Sequence, residues 1–236
     1  MTLSPLPERL ALIPARGGSK RIPYKNIRDF CGRPILAYSI AAAFDSDLFA
    51  EVMVSTDDER IAQVAREHGA LVPFLRSPQT ADDHAGLLDV LREVLDVYAA
   101  QGRTFQQVCC LLPTAPLVTP ARLREAHEVL AREDFDAVFP AVRFGYPIQR
   151  ALRRADDGRV HMLQPEHYAS RSQDLPPALH DAGQFYWLHP ERCLAAGRIF
   201  TGNSGAIEIP ELEAQDIDTE TDWALAELKY RLRRGG

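Results

Sequence analysis

Four cations, two glycines and a serine crowd into IPARGGSKRIPYKN, the fourteen residues from Ile13 to Asn26. Arg16, Lys20, Arg21 and Lys25 concentrate positive charge on a chain whose formal net charge is -6. Gly17 and Gly18 let backbone N–H groups approach an anion with no Cβ in the way, and Ser19 adds a hydroxyl donor. Together these residues suit a small polyanion such as a polyphosphate; a solvated basic turn is the alternative. The spacing matches neither G-x-x-x-x-G-K-[ST] nor G-x-G-x-x-G, so two familiar phosphate loops are excluded.

A second candidate lies near the other end, in QDIDT. Asp216 and Asp218 alternate, so in an extended segment both side chains project to one side and could share a cation. Asp45/Asp47 and Asp134/Asp136 have the same spacing. Those pairs fall at apparent helix ends or in loops, where a cap or a solvated charge is the expected role. His84, His161, His167, His180 and His189 form no H-E-x-x-H or comparable cluster, and the four cysteines lack C-x-x-C spacing. Zinc and a disulfide framework are therefore not expected. An acidic balance argues against a broad nucleic-acid face, and no window reaches the roughly 18 apolar residues of a membrane span. The expectation is a cytoplasmic protein that binds neither nucleic acid nor membrane.

The elements that must position these groups follow from hydrophobic period. The 236 residues, 46% apolar, are long enough for one sizeable core. Short apolar runs alternate with amphipathic segments through the first part of the chain, the pattern of an α/β fold with a mainly parallel sheet between helices. LALIP, EVMVST, ALVPFL, QVCCLLP and DAVFPAV read as strands. DERIAQVAREHG reads as a helix capped by Asp58 and stopped at Gly69, and Leu87, Leu88, Leu91, Val94, Leu95 and Tyr98 make one apolar helical stripe. The glycine loop directly follows the first strand, at the carboxyl edge where open α/β sheets bind ligands. Residues of about 143–190 lose the period, with a DG turn, several prolines and scattered aromatics, and read as a hairpin and loops inserted into a single domain spanning 1–236. GAIEIP is strand-like, and Thr219 with Asp222 forms a capping box for a final helix. The basic residues at that helix's end are read as compensating its dipole.

IPARGGSKRIPYKN, GRPILAYSI, VSTDD, PFLRS, LLPTAPL, HDAGQFYW and QDIDTETDW occur in this order over nearly the whole chain. In these motifs the sequence resembles the CMP-sialic acid synthetase family of cytidylyltransferases, with PTAPL, YPIQRAL and DAGQFYW most similar to the branch that takes pseudaminic acid. The resemblance implies a Rossmann-like nucleotidyltransferase domain with a dimerising insert that reaches into the partner's site, hence a homodimer. It implies transfer of CMP from CTP to the anomeric hydroxyl of a nine-carbon acidic sugar, with release of pyrophosphate. N-acetylneuraminic or legionaminic acid is the alternative substrate, and a non-catalytic nucleotide-binding protein the alternative class.

By the same resemblance Arg16, Ser19 and Lys20 hold the triphosphate within the loop Ala15, Gly17 and Gly18 complete, while Lys25 faces the phosphate under attack. Asn26 lies near the nucleotide, with a turn-forming role as its alternative, and Arg76 and Asp83 lie near the cytidine. Phosphoryl transfer normally needs Mg²⁺, which the resemblance assigns to Asp216 and Asp218. Leu112 stands where sialic acid synthetases commonly have glutamine, and Ala182, Gly183 and Gln184 stand where they have NGA, which disfavours N-acetylneuraminate. Gln149, Arg150, Gln184 and Tyr186 are the remaining sugar-site candidates, with Arg150 favoured because its fork suits a carboxylate.

Overall fold

The structure is a computed structural model and describes residues 8–82 and 85–235. Its first half alternates strand and helix: β1 (Arg9–Pro14), the short β2 (Asp29–Phe30) and β3 (Arg33–Pro34), α1 (Leu36–Asp45), β4 (Glu51–Ser55) and α2 (Glu59–Glu67). There follow α3 (Pro78–Ala81), α4 (Leu87–Ala100), β5 (Gln107–Leu111), α5 (Pro120–Glu133) and β6 (Ala137–Arg143). The second half holds β7 (Leu152–Arg154), β8 (Val160–Met162), β9 (Leu179–Asp181), β10 (Phe185–Leu188), α6 (Pro190–Ala196), β11 (Ser204–Glu208) and α7 (Glu220–Arg234).

The central sheet runs β11-β6-β10-β5-β1-β4, with β9 also paired to β6. β1 is parallel to β4 and β5, and β11 is parallel to β6, whereas β10 lies antiparallel between β5 and β6. Side chains alternate across this sheet and divide the core in two. Ala11, Ile13, Val52, Val54 and Leu111 pack with α1, α2 and α5. Leu10, Leu12, Met53, Val108 and Cys110 pack on the other face with α4 and α6. Cys109, Cys110 and Cys193 are buried free thiols, and burial raises all three.

A third cluster joins Ile22, Phe30, Ile35 and Tyr38 to Ile217, Trp223 and Ala226, so the terminal helix docks beside the amino-terminal loop. Phe30 meets Trp223 edge-on at 5.5 Å between ring centroids. The expected capping box holds α7: the Thr219 side chain accepts from the Asp222 N–H, and the Asp222 carboxylate accepts from the Thr219 N–H at 2.8 Å.

Two segments differ from the sequence expectation. ALVPFL makes only one bridge, Leu71 to Met53, rather than a strand. Pro73 has no N–H to continue the ladder, and Phe74 turns onto the second core cluster. The stretch read as an insert is also shorter than expected, because β9 and β10 pair within the central sheet. The four residues of β10 are all buried, a run too short for its period to be read among the neighbouring prolines and glycines. What stands off the sheet is residues 144–178, where β7 and β8 form the predicted hairpin with Gly158 at φ 85° in its turn. Among the described residues no helix is long and apolar enough to cross a membrane.

Candidate active site

β1 delivers the chain to the carboxyl edge of the sheet, and there the loop of residues 15–19 opens into a cavity of about 460 Å³. Arg16, Ser19, Lys20, Lys25 and Asn26 line one side, Leu112 to Thr114 another, and Asp216 faces them. The loop is tied at three points. The Ala15 N–H donates to the Ser55 carbonyl at 2.9 Å, Asn26 Nδ2 donates to the Arg16 carbonyl at 2.9 Å, and the Gly17 N–H donates to Asp57 Oδ1 at 2.9 Å. Asn26 is thus a lining residue that also holds the loop.

Glycine is required at position 17 for space. A Cβ there would stand 2.9 Å from Asp58 Cβ, whereas a Cβ on Gly18 would meet nothing within 4 Å. The sequence reading offered both glycine amides to an anion; the structure spends that of Gly17 on Asp57. The physical reason is the close approach of the β4–α2 corner, where Asp58 caps α2 by accepting from the Arg60 N–H.

Ile217 is fully buried in the third cluster, and the residues on either side of it turn outward, as alternation requires. Asp216 reaches the cavity. Asp218 pairs with Arg21 at 2.7 Å and lies 3.7 Å from Lys25 Nζ, which donates to the Ile217 carbonyl at 2.5 Å. Burial, reinforced by the charge of Asp218, raises the Asp216 carboxyl above the usual range, with Lys25 opposing. A half-buried carboxylate raised by burial and by its neighbour's charge is a donor that a hard cation would relieve. Among the described residues no group of three or more His, Cys, Asp or Glu gathers to hold a metal, so further ligands would come from phosphate and water.

Other sequence candidates lie apart from the cavity. Arg76 is buried and donates to Ser55 Oγ at 3.0 Å and to the Ser55 carbonyl at 2.6 Å; burial pulls it down to about 10, opposed by Asp57 and Glu93. It braces the end of β4. Gln184 is buried and donates to the Glu213 carbonyl, and its own carbonyl accepts from the Leu112 N–H at 2.8 Å. The Tyr186 hydroxyl donates to Asp181 Oδ2 at 2.5 Å, and burial with that carboxylate pushes its pKa up. Gln149 donates to the Pro176 carbonyl at 3.0 Å and Arg150 is exposed, both on the projecting segment. Asp83 lies outside the described residues, as does His84.

The sequence expectation placed neither Asp57 nor Arg21 in the site and gave Asp58 only as the cap of α2. The signal for the two aspartates is their place in VSTDD, between a buried strand and a helix start, where one residue caps and its neighbour is left to reach the adjacent strand's loop.

The family profile described as Cytidylyltransferase matches residues 10–185. Pseudaminic acid cytidylyltransferase of Campylobacter jejuni is 41% identical over 225 residues, covering 95% of this chain and 97% of that one. N-acylneuraminate cytidylyltransferase A of Danio rerio is 36% identical over 218 residues, covering 92% of this chain and 49% of that one. Among solved structures, CMP:2-keto-3-deoxy-manno-octonic acid synthetase in complex with CTP superposes with a TM-score of 0.67 at 19% identity, over 96% of this chain and 99% of that one. That similarity shows a shared nucleotidyltransferase fold. On the span of the profile and the identity of these relatives, the chain belongs to the cytidylyltransferase family.

Proposed function

We propose that the chain transfers CMP from CTP to the anomeric hydroxyl of pseudaminic acid, releasing pyrophosphate. The observation that carries this reading is the cavity in which Arg16, Lys20 and Lys25 face Asp216. Cations for a polyphosphate and a carboxylate for its counter-ion meet at the end of β1 and β5. The sugar class follows from the relative at 41% identity and from Leu112, an apolar wall where a glutamine would hydrogen-bond.

The sugar oxygen bonds to the α-phosphorus as the bond to the β-phosphate bridging oxygen breaks; the hydroxyl proton is released and the electron pair leaves with pyrophosphate. The chain's part is positioning and charge neutralisation. Arg16 and Lys20 bind the phosphates, Ser19 donates a hydrogen bond, and Lys25, held by the Ile217 carbonyl, offsets charge at the reacting phosphate. Asp216 and Asp218 would hold Mg²⁺, which neutralises phosphate charge when bound.

The active unit is proposed to be a cytoplasmic homodimer. Phe144, Tyr146, Ile148, Leu152, Val160 and Tyr168 are exposed on the projecting segment, Tyr146 at 88% and Tyr168 at 80%. Exposed apolar surface of this density marks an interaction face; the occupant proposed for it is a second copy of the chain, with Arg150 offered to that copy's sugar.

The test is pyrophosphate release from CTP and Mg²⁺ with pseudaminic, N-acetylneuraminic and legionaminic acids in parallel. Turnover confined to pseudaminic acid is expected. Turnover on N-acetylneuraminic acid instead, the sugar class in the name of the Danio rerio relative, would keep the reaction and discard the specificity. No turnover with any of the three would discard the reaction.

A further inference from the structure

The corner between β4 and α2 lies against the loop of residues 15–19 and bonds it at Ala15 and Gly17. Ser55 ends β4 and its carbonyl accepts from both the Ala15 N–H and Arg76 Nη2, the latter at 2.6 Å. The Thr56 carbonyl accepts from the Arg76 N–H at 2.8 Å, so the corner is pinned from beneath by a buried arginine. Asp57 then points across to the loop, and its Oδ1 accepts from the Gly17 N–H. Asp58 fills the space beside Gly17, and its Oδ2 accepts from Arg60 Nη2 at 2.9 Å. The Arg60 guanidinium lies 4.1 Å over the ring of Tyr24, a residue at φ 53° in the left-handed region. One corner therefore braces the loop at residue 17 and again at residue 24.

A carboxylate beside a polyanion site works against binding unless it has another task. Asp57 has two. It offsets the charge of Arg76, on which Arg16 acts with the opposite sign. It also takes up the Gly17 N–H, while the Gly17 carbonyl accepts from the Ser19 N–H at 3.0 Å and the next residues, Ser19 and Lys20, line the cavity. We infer that Asp57 is a positioning residue: through its hydrogen bond to Gly17 it sets the turn that presents Ser19 and Lys20 to the β- and γ-phosphates of the nucleotide. The inference rests on the proposed reaction for the identity of the ligand.

The experiment compares parent, Asp57→Ala, Asp57→Asn and Gly17→Ala by calorimetric titration with CTP and with CMP, alongside steady-state kinetics and thermal unfolding. CMP lacks the phosphates the turn serves, so a general structural defect would weaken both ligands, whereas a misplaced turn weakens CTP alone. Asp57→Ala is expected to lose about tenfold or more in CTP affinity with CMP held within about twofold, and kcat to fall with KM rising. Asparagine keeps an oxygen acceptor, so Asp57→Asn is expected within about threefold of the parent. Gly17→Ala, which displaces the same turn from its other side, is expected to reproduce the selective loss; it also supplies the test if Asp57→Ala does not fold.

An unchanged ratio of CTP to CMP affinity in Asp57→Ala and Gly17→Ala would overturn the inference, as would an asparagine variant as weak as the alanine one. A parent that binds neither nucleotide would overturn the proposed reaction together with this inference. A parent that binds both while Asp57→Ala and Gly17→Ala match it would overturn the role of Asp57 alone.

Discussion

Asp216 occupies a position where its charge opposes folding. Burial and the neighbouring Asp218 raise its carboxyl, so the native state holds that proton more tightly than the unfolded chain does. The sign follows directly: the cost is fully present above the raised pKa and is relieved as pH falls through it. Asparagine imitates the protonated form, so Asp216→Asn should unfold at a higher temperature than the parent at pH 7.5, and the difference should close near the ordinary aspartate value of about 4. The same substitution removes a carboxylate facing the phosphate cations, and turnover should fall by roughly 10²-fold or more if charge stabilisation there resembles other preorganised sites. Parallel thermal scans and pyrophosphate assays with varied Mg²⁺ check both halves. A variant equal to the parent in melting temperature and activity would remove Asp216 from the site.

α7 acts on that same carboxylate from a distance. Trp223 is 4% exposed, packs on Phe30 and sits beneath Arg28 at 4.6 Å. Truncation to alanine should cost about 3–5 kcal/mol, the usual range for emptying a buried tryptophan site. Because Ile217 belongs to the same cluster, the Asp216–Asp218 segment should lose its placement as well; denaturant unfolding and the apparent Mg²⁺ requirement of Trp223→Ala should therefore worsen together. On α5, His127 is half buried against Trp187, with Arg9 Nη1 3.0 Å from its Nε2, and burial followed by the charges of Arg9 and His189 lowers it to about 4. The unfolded chain then binds a proton that the native state refuses between about 6.5 and that value. Stability tied to this histidine is whole above about 6.5 and is lost as pH falls, on the order of 1 kcal/mol after allowance for its partial exposure. His127→Gln should flatten the stability profile across that window, measured by urea unfolding at stepped pH. At this scale sequence reading succeeded wherever one face repeats: the α4 stripe, the Asp58 cap and the Thr219–Asp222 box all stand in the structure. The cations of the loop after β1 line one cavity because they lie close together in the chain. β10 was hidden, since four apolar residues show no period. The Asp57–Gly17 bond was hidden for a different reason: its partners are brought together only by the parallel pairing of β1 with β4.

The whole molecule leaves the segment of residues 144–178 standing off a sheet that is otherwise covered on both faces. Its hairpin, β7 with β8, is only three residues long on each side, and an isolated two-stranded hairpin of that size is marginal in water. Large exposed side chains on such an element are costly to solubility, and a stable partner would bury about 800 Å² on each side. The proposed second copy would satisfy both demands, and Arg150, which lies outside its own cavity, is the residue proposed for the sugar carboxylate of the other protomer. Charge introduced at the two most exposed rings, as Tyr146→Asp with Tyr168→Asp, should convert a dimer to a monomer in sedimentation velocity while leaving CTP binding within about threefold, since the phosphate loop belongs to the sheet. Turnover should fall far more than CTP affinity. Arg150→Ala should retain the dimer and raise KM for the sugar with little change for CTP, because removing a contact shared by ground and transition states weakens binding first. A parent protein that sediments as a monomer at assay concentrations with full activity would return Arg150 to the surface and leave the sugar carboxylate to residues of a single chain.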